Sequence, residues 1–183
     1  MNILVLNGSP RQNGNTAKMV TAFCEGAESS NHTVKTVNVC KLNVKGCLAC
    51  EYRHSKGNGK CIQKDDMQYI YLLLNDTNML VLASPIYYHG ISGQLKCVID
   101  RFYSALYPVA PKSLTKIAMF LSSSDRNQYD VLRAIYIVPF LETRWNADSS
   151  TFAIAASKQA SIFSFSSPII PSTIKESRQW PAQ

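Results

Sequence analysis

Short runs that are continuously apolar or rich in Val and Ile alternate with helical patterns along the first 144 residues, and this alternation limits the possible folds more than any other feature. Each run is bounded by turn signals and is rich in Val, Ile or Leu, as is typical of strands covered on both faces. The runs span Ile3–Leu6, Val34–Val39, Met79–Ala83 and Ile117–Leu121. Strands that alternate with helices in this way predict an α/β fold with a parallel, doubly wound sheet and helices on both faces.

The segments between these runs carry apolar residues at helical spacing. They predict helices over Thr16–Glu28, Asp66–Asn75, Gly93–Leu106 and Asp130–Leu141. In the third of these, Lys96 precedes Asp100 by four residues, a spacing that favours an ion pair on one helix face. Ligands of doubly wound sheets bind beyond the carboxyl ends of the strands. The loops to consider are therefore residues 7–15, 40–65, 84–92 and 122–129.

The segment "NGSPRQNGNT" (residues 7–16) leaves the first predicted strand and enters the first predicted helix. Its glycines permit close backbone approach, and backbone N–H groups at a helix start can bind an anion together with small polar side chains. The segment matches neither the Walker A pattern nor the dinucleotide G-x-G-x-x-G pattern. Its donors are mostly neutral, with Arg11 as the one obvious cation. A phosphate monoester suits it better than a nucleoside triphosphate, and an ordinary polar loop is the alternative.

Two long motifs, "NGSPRQNGNT" and "LVLASPIYYHGISGQLKCVIDRFY", resemble the NADPH-dependent FMN reductase and iron–sulfur flavoprotein family. The resemblance covers residues 1–144 and implies a flavodoxin-like sheet of order 2-1-3-4-5, FMN as cofactor and NAD(P)H as co-substrate. It implies two groups of cofactor-binding residues. The FMN 5′-phosphate would be held by Ser9, Arg11, Asn13, Asn15 and Thr16, and the isoalloxazine would be lined by Pro85, Ile86, Tyr87 and Tyr88. No residue receives a catalytic role, because a flavin needs no protein acid to accept hydride at N5.

These features lead to one main hypothesis and two alternatives. The main hypothesis is an FMN-dependent oxidoreductase that takes hydride from NAD(P)H and passes electrons to an unidentified acceptor. The first alternative is a flavodoxin-like FMN electron carrier, although flavodoxins are typically acidic and this chain has a formal charge of +7. The second alternative is a zinc-binding or regulatory module that keeps the fold without flavin.

Four of the six cysteines, Cys40, Cys47, Cys50 and Cys61, fall within 22 residues. Resembling flavoproteins hold a [4Fe–4S] cluster here through Cys-x2-Cys-x2-Cys…Cys, but in this chain the third position is Arg53, which cannot supply a thiolate. A cluster is therefore not expected. Zinc bound by Cys47, Cys50, His54 and Cys61 is a competing interpretation. The preferred interpretation is that these thiols bind no metal.

Partners and location follow from what the composition lacks. Basic residues do not cluster with aromatic residues, so a nucleic-acid partner is not expected. No apolar run approaches the roughly 18 residues of a membrane span, and no basic region precedes a long apolar stretch, so a cytoplasmic location without a membrane partner is expected. Because members of the resembling family are often dimers or tetramers, a homo-oligomer is expected as well.

Residues 145–183 match the resembling family poorly. The chain has no glycine after Gly93, serine becomes frequent, and three prolines interrupt the last 16 residues. A fifth strand near residues 151–156 is the one element this tail suggests. The whole chain, residues 1–183, is expected to form a single domain with an atypical C-terminal part.

Overall fold

The computed structural model describes residues 1–106 and 110–124 of the 183-residue chain. The strands are β1 (Asn2–Asn7), β2 (Thr33–Asn38), β3 (Met79–Tyr87), β4 (Gly90–Ile91) and β5 (Lys116–Ser122). The helices are α1 (Asn15–Ser29), α2 (Met67–Asn75), α3 (Gly93–Arg101) and α4 (Tyr103–Leu106). Two single-turn 3₁₀ helices cover Val39–Lys41 and Tyr52–His54.

The long strands form a parallel sheet in the order β2-β1-β3-β5. β4 pairs with the end of β3 in an antiparallel hairpin. Because β5 is the fourth predicted strand, this order confirms the first four positions of the expected 2-1-3-4-5 arrangement. The predicted helix Asp130–Leu141 and the predicted strand near residues 151–156 lie outside the described residues.

Alternate residues of each strand pack into two separate apolar layers. On one face, Leu4 and Leu6 of β1 belong to a cluster with residues of α2 and α3. On the other face, Ile3 and Val5 join a cluster with residues of α1. Helices therefore cover both faces of the sheet, as the continuous apolar runs predicted. This burial is the main stabilising contribution, at roughly 25 cal/mol per Å² of apolar surface.

The predicted helix Gly93–Leu106 is wrong in one respect, since it is divided at Phe102. The Phe102 amide donates to the carbonyl of Ile99, which tightens the turn, and the Arg101 carbonyl accepts hydrogen bonds from the hydroxyls of Tyr71 and Ser104. These side-chain donors replace the next helical bond, so α4 begins as a separate turn. The predicted Lys96–Asp100 ion pair is present on the surface of α3.

The second predicted strand also ends one residue early, because Val39 begins a 3₁₀ turn instead of continuing β2. Val39 is nonetheless buried, so its apolar character reflects the core and not the strand. Within the described parts of the chain, every helix is too short or too polar to cross a bilayer.

Candidate functional site

The first loop (residues 8–14, between β1 and α1) lies at the carboxyl edge of the sheet, and hydrogen bonds join it and the start of α1 to three neighbouring strands or their ends. The Gly8 amide donates to the Ala83 carbonyl of β3 at 2.7 Å. The Cys40 thiol, just beyond β2, donates to the Gly8 carbonyl at 3.3 Å. The Thr16 hydroxyl, at the start of α1, is 2.7 Å from the Ser122 hydroxyl at the end of β5. The first loop therefore occupies the centre of this edge.

Side chains inside the loop fix its path. The carboxamide of Asn7 accepts a hydrogen bond from the Ser9 amide at 3.0 Å and donates to the Asn38 carboxamide at 3.0 Å. The Ser9 hydroxyl accepts from the Arg11 amide at 3.2 Å, and the Gly14 amide donates to the Arg11 carbonyl at 3.2 Å. The buried side chains of Asn7 and Ser9 thus hold the loop in place without a ligand.

The start of α1 presents backbone donors toward this loop. The first helical hydrogen bond runs from the Lys18 amide to the Gly14 carbonyl, so the N–H groups of Asn15, Thr16 and Ala17 precede the helical ladder. The N-cap residue is Gly14, which has extended backbone and no side chain to satisfy them. Thr16 occupies the first turn. Such a terminus carries partial positive charge and binds anions.

The predicted phosphate-binding residues divide by exposure. Ser9 and Thr16 are buried, whereas Arg11, Asn13 and Asn15 are exposed around the helix terminus. The buried hydroxyls have fixed partners, and the exposed side chains are accessible to a ligand. The structure therefore brings all five residues to one helix terminus.

Gly8 is in close contact with the start of α3. A Cβ atom on Gly8 would lie 2.6 Å from the Ser92 hydroxyl oxygen and 2.8 Å from Leu95 Cβ. Neither neighbour can move easily, since Ser92 accepts a hydrogen bond from the Leu95 amide and Leu95 is fully buried. Only glycine fits at this position, and its contact joins the first loop to the segment that follows β3.

The segment predicted as loop 84–92 is instead an extension of β3 and a hairpin. β3 continues through Tyr87, because Ser84 and Pro85 still pair with β5. Pro85 lies beyond the last β1 pair, at Ala83, so its missing N–H interrupts no β1–β3 bond. The prediction that the strand ends at Ala83 was therefore wrong, and Pro85, Ile86 and Tyr87 are strand residues.

The hairpin turns at Tyr88 and His89, which both have left-handed backbone (φ 48° and 63°) as in a type I′ turn. Tyr87 is 44% exposed and Tyr88 is fully exposed. Two buried serines close the base of the hairpin, because the Ser92 amide donates to the Ser84 hydroxyl at 2.9 Å. The structure thus presents the tyrosines on a fixed support at the same sheet edge as the first loop.

The cysteine loop (residues 42–65) lines an open pocket. Cys47 and Cys50 are exposed, Cys61 is half-buried, and all three line this pocket with His54. Among the residues the structure describes, no three His, Cys, Asp or Glu side chains gather closely enough to hold a metal ion. Arg53 Nε donates to the Gly59 carbonyl at 3.1 Å and so joins the two ends of the turn.

A buried ion pair anchors the cysteine loop to α3. The guanidinium of Arg101 makes two hydrogen bonds to the Asp65 carboxylate, at 2.9 and 3.2 Å, and one to the Lys45 carbonyl at 3.1 Å. The Asp65 carboxylate also accepts from the amides of Lys45 and Met67. The side chains are 1% and 6% exposed. Sequence reasoning missed this pair, whose members are 36 residues apart.

Burial raises the pKa of Asp65, but the hydrogen bonds from Arg101 and from the amides of Lys45 and Met67 outweigh it and leave the pKa below its ordinary value. Burial alone would lower the pKa of Arg101, yet the carboxylate beside it raises that pKa well above its usual range. Both groups are therefore charged at neutral pH.

A parallel, doubly wound sheet with a donor-rich loop between β1 and α1 defines the flavodoxin-like α/β class. The chain belongs to the NADPH-dependent FMN reductase family, whose sequence profile matches residues 1–136. This confirms the resemblance that the two motifs indicated.

Proteins of similar sequence include iron–sulfur flavoproteins. One from Archaeoglobus fulgidus is 36% identical over 94 residues, which cover 51% of this chain and 42% of the relative. One from Methanocaldococcus jannaschii is 31% identical over 140 residues, which cover 74% of this chain and 69% of the relative. A second protein from that organism is 29% identical, and 51% of it is covered. The chain thus spans about half the length of two of these three relatives.

Solved structures share the fold at low identity. An NAD(P)H:quinone oxidoreductase from Methanothermobacter marburgensis superposes with a TM-score of 0.70 at 15% identity, covering 85% of this chain and 83% of the other. An azoreductase from Bacillus anthracis strain Sterne gives a TM-score of 0.64 at 14% identity, with 85% and 86% covered. Both confirm the flavodoxin-like fold.

Proposed function

We propose that this protein is an FMN-dependent oxidoreductase that takes hydride from NAD(P)H and passes electrons to an acceptor. The observation that carries this proposal is the start of α1, where backbone N–H groups outside the helical ladder lie beside the buried hydroxyls of Ser9 and Thr16 and the exposed carboxamides of Asn13 and Asn15. Membership of the FMN reductase family supports FMN as the anion that binds there. The flavin, when bound, supplies the hydride-accepting and electron-storing chemistry.

The phosphate of FMN would be held by the first loop through uncharged donors. The amides at the start of α1 and the side chains of Asn13, Asn15 and Thr16 provide these donors, Ser9 shapes the site through its bonds to Arg11, and Arg11 adds one exposed positive charge. A helix terminus stabilises a nearby anion by roughly 0.3–1 kcal/mol at an exposed site and by more when partly buried. Because the buried hydroxyls are fixed before binding, little ordering is required when the phosphate arrives.

The isoalloxazine would lie against the end of β3 and the hairpin. Pro85 is buried and rigid, and the serine pair beneath it fixes the backbone of the turn. Ile86, Tyr87 and Tyr88 then offer apolar and aromatic surface to a flat ring. Backbone amides aimed at the ring edge can stabilise negative charge on the reduced flavin. These residues orient the cofactor and exclude water, and none acts as an acid or base.

Anaerobic stopped-flow mixing of the FMN-loaded protein with NADPH tests the enzyme against the electron carrier. We expect the absorbance band of oxidised flavin to disappear faster than in free FMN mixed with NADPH, because the protein positions the nicotinamide and ring together. The same mixing with NADH measures the preference between the two nucleotides. A flavin band that persists on mixing with both nucleotides would favour the carrier. Protein that is colourless after FMN is added and the unbound flavin is removed would favour the module without flavin.

We further propose that the cysteine loop holds neither an iron–sulfur cluster nor zinc in the functional protein. A cubane needs four thiolates, and Arg53 stands where the cluster motif has a cysteine. Its side chain already joins the turn to Gly59. We expect iron, acid-labile sulfide and zinc each well below one equivalent per chain after anaerobic purification. One equivalent of zinc, or four of iron with four of sulfide, would contradict this.

The proposed assembly is a homodimer or homotetramer of single-domain chains in the cytoplasm, without membrane or nucleic-acid partners. Members of the resembling family are often dimers or tetramers, and this supports a homo-oligomer. Light scattering coupled to gel filtration measures the mass of the assembly, and a monomer at micromolar concentration would contradict the proposal.

A further inference from the structure

We propose that Ser122 is a positioning residue for the cofactor phosphate: when the phosphate is bound, the Ser122 hydroxyl donates to Thr16, and the Thr16 hydroxyl donates to the phosphate. This assignment rests on the proposed function, since it takes the first loop as the site of the FMN phosphate. It adds a residue of β5 that none of the motifs of the first loop or the hairpin contains.

The contact itself is well defined. Thr16 Oγ1 and Ser122 Oγ lie 2.7 Å apart, which is an ordinary length for a hydrogen bond between two hydroxyls. Thr16 is 1% exposed and Ser122 is 9% exposed. The two residues are 106 positions apart in the chain and come from the first turn of α1 and the last residue of β5. The bond therefore exists only in the folded sheet.

The number of hydroxyl protons determines the direction of this hydrogen bond when a phosphate is bound. Each hydroxyl carries one proton and can accept two hydrogen bonds, so one proton lies between the two oxygens and the other is left over. If Thr16 donated to Ser122, Thr16 would offer only lone pairs to a neighbouring anion. A phosphate dianion offers only acceptor atoms, so its presence favours the opposite direction. Ser122 then donates, and Thr16 donates to the phosphate.

The other buried hydroxyl of the first loop is engaged differently. Ser9 Oγ accepts from the Arg11 amide and donates to the Arg11 carbonyl, both at 3.2 Å, so its partners lie within the loop. Thr16 instead has its partner on another strand. Because Ser122 is the last residue of β5, this bond joins the end of β5 to the first turn of α1.

The test compares FMN with riboflavin, which lacks the phosphate, in Ser122→Ala. We expect FMN affinity to fall about fivefold to tenfold, as for loss of one neutral hydrogen bond, because the Thr16 hydroxyl is no longer oriented, while riboflavin affinity changes less than about twofold. Ser124→Ala, an exposed hydroxyl in the same segment, is the matched control and should change neither affinity. Ser122→Thr keeps the hydroxyl and should retain most of the preference for FMN.

A double-mutant cycle excludes a purely structural role. Thr16→Val removes the hydroxyl that Ser122 is proposed to orient, so Ser122→Ala should cause no further loss of FMN preference in that background. Three results would each overturn the assignment: equal losses of affinity for FMN and riboflavin, an unchanged ratio of the two affinities in Ser122→Ala, or additive effects of the two substitutions on that ratio. Wild-type protein that binds riboflavin as tightly as FMN would overturn the phosphate site itself. If Ser122→Ala does not fold, Ser122→Thr is compared with Ser122→Cys. Because cysteine is a weaker donor, Ser122→Cys should have the lower preference for FMN over riboflavin, and equal preferences would overturn the assignment.

Discussion

Replacing Arg101 with methionine is expected to lower the free energy of unfolding by about 3–5 kcal/mol, because it leaves a buried carboxylate without its charged partner. Asp65 would keep its backbone donors but lose both bonds to the guanidinium. The Lys45 carbonyl would lose a donor as well, so the cysteine loop would detach from α3. Urea unfolding followed by circular dichroism measures the loss.

Two further variants show whether charge or packing causes the loss. In Arg101→Met with Asp65→Asn no unpaired charge remains, and much of the stability should return. Lys96→Met breaks the exposed ion pair with Asp100 and should cost less than about 1 kcal/mol. An Arg101→Met protein no less stable than Lys96→Met would contradict the account of the buried pair.

The pH dependence of this effect has a definite sign. Burial works against the Asp65 carboxylate, yet the bonds from Arg101 and the backbone lower its pKa in the folded state below the unfolded value. The stabilisation is therefore fully present above the unfolded pKa and disappears as pH falls through the folded pKa. The difference in stability between wild type and Arg101→Met should be constant near neutral pH and should shrink below about pH 4.

Replacing Gly8 with alanine is expected to destabilise the protein by about 1–3 kcal/mol, as for overpacking of a filled core, and to weaken FMN binding at least tenfold. The added methyl group would meet the Ser92 hydroxyl and Leu95 at distances that no packed pair tolerates. Relief requires a shift of the first loop away from α3, and that shift would misalign the donors at the start of α1. Thermal melts and flavin fluorescence titrations measure the two effects.

Gly93 provides the control for that substitution. It begins α3, and a Cβ added there would meet no atom within 4 Å. Gly93→Ala should leave FMN affinity unchanged and should stabilise the helix by up to about 1 kcal/mol. Equal stability of Gly8→Ala and Gly93→Ala would contradict the close packing described for the first loop.

The sheet could be predicted from the sequence because a strand that is buried on both faces has apolar residues at successive positions. Continuous apolar runs marked β1, β3 and β5, and a valine-rich run marked β2. The loops after these strands then had to meet at one edge. The ends of β2 and β3 were not predicted correctly, because the residue types found there also occur in other structures. Val39 is apolar because it is buried in a 3₁₀ turn, and Pro85 reads as a strand breaker although β3 continues through it on pairs with β5.

The long-range polar contacts could not be predicted, because they leave no periodic pattern. Asp65 and Arg101 each look like an ordinary charge at a helix end, and only the fold brings them together. The Thr16–Ser122 hydrogen bond could not be predicted from the sequence either, since serine and threonine are common in loops. The left-handed turn at Tyr88 and His89 lacks the Asn-Gly sequence that would have predicted a hairpin.

A crystal structure of the protein with FMN tests the central claim most directly. We expect the phosphate at the start of α1, within hydrogen-bonding distance of the Asn15 and Thr16 amides and of the Thr16 hydroxyl, with the ring against Pro85–Tyr88. A flavin whose phosphate lies elsewhere, or whose ring does not touch the hairpin, would contradict the proposed site.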